Sequence, residues 1–542
     1  MLLKNKNLSS LDFLQKTFLI FFVAIFLTLF FQNFLFSQYF ELLLTRDVDN
    51  YAFSVVLNAV HQNIYNLNWP KLFFLNDYGY GWLFWAVHGF ITYPFFLLNK
   101  LFSVDFFVII VAREISVIFM FLTCFLIFKS IKIYTKNKYI PYFAVLLYML
   151  YPWFGFSSLS FRTIAQGCFF CSLSFYLTIR KKSLDKNDLK YIAISLACGI
   201  ATKISNALIL PLIAIILLDR FNFKISKTNC KLAFIFLIRL VFFSIILSNP
   251  SLIYCVFVPD IFFNYVNTLK FHINLTKTSL SQSNDVINNF KNTIKFGYFS
   301  LIMMWLYVIM FITKIYYDLK NNKNNKFDFV YIFIFNILAF IYLCINIKIG
   351  WLYIAIYFLP LSFLIIFSLI FLEIFNKKQL KIFFVVILLL TLTTSYKSIS
   401  EKHFEYFKLN NNEKIKNILI SQKEIQDLII INDKKITILA DYRCPIIYSN
   451  IKYDNFLTYL YFDNINKAPQ YDFDYIFMNK EGLLFKDDNL FKKELINIDE
   501  SYINDWVESR KILNNIIQNN QFGDNRYQLI YDKNQLLLYK KL

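Results

Sequence analysis

Two carboxylates, Asp47 and Asp49, stand in the stretch "TRDVDNYA" directly after the first long apolar run of the chain. Four cations, Arg113, Arg162, Lys203 and Lys348, come from segments far apart in sequence, each near the end of an apolar run or in a short turn between two. A carboxylate beside a hydroxyl can take its proton as a general base. Cations aimed at phosphate oxygens stabilise an anionic leaving group, because hydrogen bonds to a charged acceptor are shorter and stronger than neutral ones. One acid and several cations therefore suit displacement at a carbon bonded to phosphate, where the leaving group departs as a stable anion and needs no proton. Glycoside hydrolysis asks for more, since a second carboxyl must usually protonate the leaving oxygen. A sugar carried on a lipid phosphate meets these requirements, and its lipid explains why such a catalyst would live in a membrane. The same residue types also have plainer uses. Asp47 or Asp49 with Arg46 makes a surface ion pair worth under about 1 kcal/mol, Arg113 with Glu114 makes a structural pair, and Lys203 can snorkel to an interface.

The elements that must position these groups are set by composition. Of 542 residues, 57% are hydrophobic and 20% aromatic, and the apolar residues come in runs long enough to cross a bilayer. The chain reads as an α-helical polytopic membrane protein. Its net charge of +20 lies in short Lys/Arg clusters between the runs, so it reports topology rather than a nucleic-acid partner. The eight cysteines sit mostly inside apolar runs without zinc-binding spacing, and Cys168 and Cys171 read as buried helix residues. His61, His88 and His272 are isolated and suit interfacial or packing roles.

Threading by the positive-inside rule starts with Lys4, Lys6 and Lys16, which hold the N-terminus in the cytoplasm before a retained first span at 18–36. Asp47 and Asp49 then face outward. The segment 78–100 is apolar but interrupted by Gly79, Gly81, Gly89 and Pro94. Were it to cross, Lys129, Lys132, Lys136 and Lys138 would lie outside, so it is placed on the outer face as an interfacial or re-entrant segment. The second span, 106–128, runs inward, 140–156 outward, and Arg162 occupies a short outer loop before 167–179 returns. A hairpin over 191–218 carries Thr202 and Lys203 at its turn, and 232–247 leads to a long outer loop opening at Asn249 and Pro250. Spans at 296–315, 330–345, 351–371 and 382–394 follow, with Lys348 in an outer turn. The total is about eleven spans.

Residues 1–395 thus read as one transmembrane unit, expected to be the catalytic one, and 396–542 change character. Strand-like runs "KKITILAD", "YDFDYIFMN" and "YQLIYDKNQLLLYKK", the last a closing hairpin, alternate with helical stretches. This reads as a small extracytoplasmic α/β accessory domain. It lacks GxGxxG, P-loop and HExxH patterns, so recognition is expected of it rather than catalysis.

In sequence order, "DVDNYA", "NDYGYGWLFW", "VAREIS", "GIATKISNALILP", "SNPSLIYCVFVPDIFFNYV" and "GWLYIAIYFLPL" resemble the GT-C superfamily of polyprenyl-phosphate-dependent glycosyltransferases. The likeness is greatest to the branch of protein O-mannosyltransferases and the lipid A aminoarabinose transferase, and it covers residues 17–395. It implies a GT-C fold in the plasma (inner) membrane with an extracytoplasmic site. There a sugar would pass with inversion from a polyprenyl-phosphate donor to a hydroxyl of a lipid, glycan or protein. Asp47, four residues before Tyr51, matches the family's first acid and would be the general base. The second acid is displaced by one, to Asp49. Whether it shares that role or joins Asp47 in holding a divalent metal is left open, since alternate residues of an extended stretch share a face. Arg113 and Lys203 match the family's Arg at the second span and its Thr-Lys turn, as donor-phosphate contacts. Lys348 lies where the family often has Arg before Tyr, and Arg162 joins the set by topology. A rival of another class is a transporter or flippase for a lipid-linked glycan. It would show internal repeats and mid-membrane ionisable groups, whereas the halves show no repeat and the charges gather at one face.

Overall fold

The computed structural model describes residues 13–35, 48–73, 81–102, 106–134, 139–150, 152–159, 161–221, 226–259, 411–430, 436–441, 453–459, 473–495 and 500–542, with single positions between 262 and 408. The first part is helical. Its helices are α1 (Phe13–Leu35), α2 (Val48–Tyr65), α3 (Trp69–Phe73), α4 (Trp82–Phe102), α5 (Phe106–Tyr134), α6 (Ile140–Leu150), α7 (Pro152–Ser158), α8 (Thr163–Ile179), α9 (Lys186–Thr202), α10 (Leu210–Arg220) and α11 (Lys227–Ser248). Among the described residues, three stretches, Gln15–Phe34, Val108–Ile133 and Lys227–Ser248, are long and apolar enough to cross a membrane. They coincide with the runs expected at 18–36, 106–128 and 232–247.

α5 is the centre of the bundle and packs against α1, α4, α6, α7 and α8. Ring contacts fix the directions. Phe22 and Phe26 of α1 both meet Phe121 at 4.9 Å, while Phe18 reaches Phe128 through Tyr142, so α1 and α5 run antiparallel. Phe119 lies on Phe169 at 5.4 Å and Arg113 reaches Leu159, so α8 runs with α5. α9 returns along α8, with Gly199 against Cys171 and Asn206 against Gly167. These directions bring Lys16, Lys129, Lys132 and the cluster from Arg180 to Lys190 to one end of the bundle, as the positive-inside rule asks of a single membrane side.

At that basic end Asp188, 3% exposed, closes the α8–α9 connection. Its oxygens accept from Arg180 Nη2 at 2.7 Å and Lys181 Nζ at 2.9 Å, and also from the Asp185 backbone N–H within a capping box. Burial alone would raise its pKa, but the Lys181 and Arg180 hydrogen bonds prevail and hold it at about 2. A depressed folded-state pKa contributes stability that is complete at neutral pH and is lost as pH falls from the ordinary carboxylate range toward 2. Thermal unfolding of the detergent-solubilised protein should therefore show Asp188→Asn costing about 2 kcal/mol at pH 7. The gap should narrow as the pH falls below about 4.

Three sequence expectations change. Of the breakers in 78–100, Gly89 and Pro94 do not interrupt the helix: α4 runs unbroken from Trp82 past both, with Pro94 facing outward, while Gly81 stands just before it. Gly89 serves packing, since a Cβ there would lie 2.5 Å from Val60 Cγ1 of α2. The run at 140–156 divides into α6 and α7 ahead of Pro152, which takes the first position of α7, where its missing N–H costs nothing. α8 begins at Thr163, earlier than the expected 167, because Arg162 already stands at its N-cap. The spans expected at 296–315, 330–345 and 351–371 lie outside the described residues, as does 382–394 apart from single helical positions.

The C-terminal part folds around a sheet. Its elements are α12 (Glu413–Ile430), β1 (Ile436–Asp441), β2 (Tyr453–Tyr459), β3 (Tyr475–Asn479), α13 (Asp488–Leu495), α14 (Glu500–Asn519), β4 (Gln521–Phe522), β5 (Asn525–Lys533) and β6 (Leu536–Lys541). The strand order is β2-β1-β3-β6-β5-β4, parallel from β2 to β3 and antiparallel beyond. Ile438, Phe477 and Leu538 face α12, while Leu439, Ile476 and Leu537 face α13 and α14. Helices therefore cover both faces, which is why the central strands read as continuous apolar runs. The expected hairpin is β5–β6, turning at Asn534 (φ 49) and Gln535 (φ 71). Two successive left-handed residues define a type I′ turn, whose second position favours Gly. Gln535→Gly should raise the stability of this domain by about 1 kcal/mol, read as slower hydrogen exchange of β5 and β6 amides in the whole protein.

Candidate functional site at the end of the bundle away from the basic clusters

Arg113 is buried at 3% exposure near the start of α5. Its Nε donates to the Leu159 carbonyl at 2.7 Å and its Nη2 donates to the same oxygen. Leu159 follows α7 and begins the turn that enters α8. Within that turn Phe161 is fully buried against Phe84 and His88 of α4, with ring centroids at 5.5 and 5.0 Å. Arg162 comes next as the extended N-cap of α8 (φ −141, ψ 158), and its side chain caps no backbone N–H. The guanidinium of Arg113 is thus a clamp on the turn that carries Arg162.

Lys203 ends α9 in an extended conformation (φ −157, ψ 127), with its backbone N–H on the Gly199 carbonyl at 3.3 Å. The 3₁₀ turn Ile204–Ile209 continues the chain, so the expected break at Thr202–Lys203 is where the helix stops. Asn206 secures this turn. Its Nδ2 donates to the Gly199 carbonyl at 2.8 Å, and its side chain lies where a Cβ on Gly167 of α8 would fall, 2.5 Å away. The Lys203 turn is thereby seated against the first turns of α8, close to Arg162.

Gly81, from the Tyr/Gly-rich segment, docks at the same place. Gly81 adopts φ +72, and a Cβ on it would lie 1.6 Å from the Ala201 carbonyl oxygen, two residues before Lys203. No side chain fits there. From Gly81 the chain enters α4, which α2 accompanies: Val60 meets Gly89, His61 Nε2 pairs with Thr92 Oγ1 at 2.8 Å, and Tyr65 meets Phe96. These contacts advance along both helices in the same direction. Asp49 precedes His61 by about 18 Å of helix rise and Gly81 precedes Thr92 by about 16 Å, so both helices begin at the same end.

Asp49 is the second residue of α2, not part of an extended stretch. Strand alternation therefore does not apply from Val48 onward. An acid in the first turn is also favoured by the partial positive charge of a helix N-terminus. Asp47 and Lys348 lie outside the described residues. Arg113, Arg162, Lys203 and the helix start bearing Asp49 are brought together at one end. Leu159, Gly81, Gly167 and Asn206, which hold them there, were not singled out from sequence as site-forming. The signal available for the last was a polar residue inside the apolar run "KISNALIL".

Among the described residues no three His, Cys, Asp or Glu side chains gather as a metal site. No protein-family model matches this chain, and no curated protein matches it significantly.

Proposed function

We propose that the protein is an integral membrane glycosyltransferase of the GT-C kind, moving a sugar from a polyprenyl-phosphate donor to a hydroxyl acceptor with inversion. One observation carries the reading: the start of α2, the Arg162 turn, the Lys203 turn and the Gly81 anchor converge at the bundle end opposite the basic clusters. In the reaction Asp47 takes the acceptor hydroxyl proton as its oxygen attacks the anomeric carbon from the face opposite the phosphate. The bond from that carbon to the phosphate oxygen breaks with its electron pair, and polyprenyl phosphate leaves as an anion. Arg162 and Lys203 meet the negative charge growing on the phosphate. Arg113 acts as a positioning residue, because its donors on Leu159 hold the turn that presents Arg162.

Binding of polyprenyl phosphate, the leaving group, tests these roles without turnover. Arg162→Gln and Lys203→Gln should each weaken binding by about tenfold, the worth of one charge-assisted hydrogen bond. Asp47→Asn should leave it intact. Unchanged affinity in both cation variants would count against the assignment.

A further inference from the structure

A groove of about 380 Å³ opens between α8 and α9, running from Arg180 at the basic end as far as Cys198. Phe170, Leu173 and Leu177 of α8 and Ile194 and Cys198 of α9 make it apolar, and Arg180 closes it at the basic end. The stretch from Phe170 to Arg180 rises about 15 Å, the hydrocarbon depth of one leaflet. Arg180 gives Nη2 to Asp188 at 2.7 Å, while its Nε is buried with no hydrogen-bond partner among the described residues. Residues 180–190 carry five cations against two carboxylates. Tyr191, also lining the groove, is 55% exposed, as an aromatic at headgroup depth would be.

We propose that this groove holds one acyl chain of an anionic phospholipid, with the lipid phosphate seated on Arg180. The groove has the two features such a lipid needs: an apolar trough one leaflet deep and excess positive charge at its mouth. A free phosphate would have no use for the trough, and a zwitterionic lipid would gain little from the charge. The site is independent of the transfer reaction proposed above, and its test needs no turnover.

The test is native mass spectrometry of the delipidated full-length protein, titrated with phosphatidylglycerol or with phosphatidylcholine of the same chains. The wild type should retain one phosphatidylglycerol at about fivefold lower concentration than phosphatidylcholine, the effect of one cation near a headgroup. Arg180→Gln should erase that preference, and Lys181→Gln, which touches Asp188 but does not line the groove, should keep it. Cys198→Trp fills the trough without disturbing the Arg180–Asp188 pair and should lower retention of both lipids. Equal retention of both lipids by the wild type, a preference surviving in Arg180→Gln, or retention unaffected by Cys198→Trp would each overturn the proposal.

Discussion

Asp47→Asn should lower turnover by about a hundredfold to ten-thousandfold, the usual worth of a positioned general base, with the melting temperature and donor affinity unchanged. The amide is the same size but cannot accept the acceptor's proton, so the loss falls on kcat rather than KM. Asp49→Asn is the informative companion. Asp49 stands in the first turn of α2, where a carboxylate contributes about 0.3–1 kcal/mol to the helix. It should cost stability of that order and leave kcat within about tenfold. Full activity in Asp47→Asn would remove the proposed base, and equal losses in the two variants would make the pair act as a unit.

Gly81→Ala should be the most damaging change of a single methyl group. Gly81 holds φ +72, and the added carbon would sit 1.6 Å from the Ala201 carbonyl oxygen, a backbone atom that cannot swing aside. Left-handed strain and overpacking together cost on the order of 3 kcal/mol. Relief requires the start of α4 to lift from the end of α9, which moves the Lys203 turn. The donor KM should therefore rise along with the loss of stability. Gly523 supplies the control: it has a similar φ of +58, but a Cβ added there would meet nothing within 4 Å. Gly523→Ala should cost about 1 kcal/mol and leave transfer untouched. Normal thermal stability and donor KM in Gly81→Ala would mean the close approach is not a constraint.

Legibility in the sequence tracked the physics of each element. The long spans were readable because an uninterrupted apolar run flanked by Lys or Arg has few alternatives in a membrane. The β5–β6 hairpin was readable from two apolar runs around Asp-Lys-Asn-Gln. β2 is hidden in the sequence, because Asp454 and Asn455 dilute the strand pattern of "YDNFLTY". The continuity of α4 was hidden for a different reason: glycine as a breaker and glycine as a packing site for Val60 look alike until the neighbour is known. Arg113 was legible as a cation near the outer end of a span but not as a clamp, since its acceptor is a backbone carbonyl 46 residues away. Charge type and order thus pointed to Arg113, Arg162 and Lys203 near one end of the bundle, while the Arg113–Leu159 contact, distant in sequence, became visible only in the fold.

The central claim is that a bond to a sugar is broken and a new one made. The direct measurement supplies the purified full-length protein in detergent with a polyprenyl phosphate bearing a radiolabelled sugar, together with an envelope extract as acceptor. The expected result is a labelled product of inverted anomeric configuration, with one polyprenyl phosphate released for each sugar transferred. No glycosylated product, together with movement of the intact lipid-linked sugar across reconstituted vesicles, would contradict the account and identify a transporter.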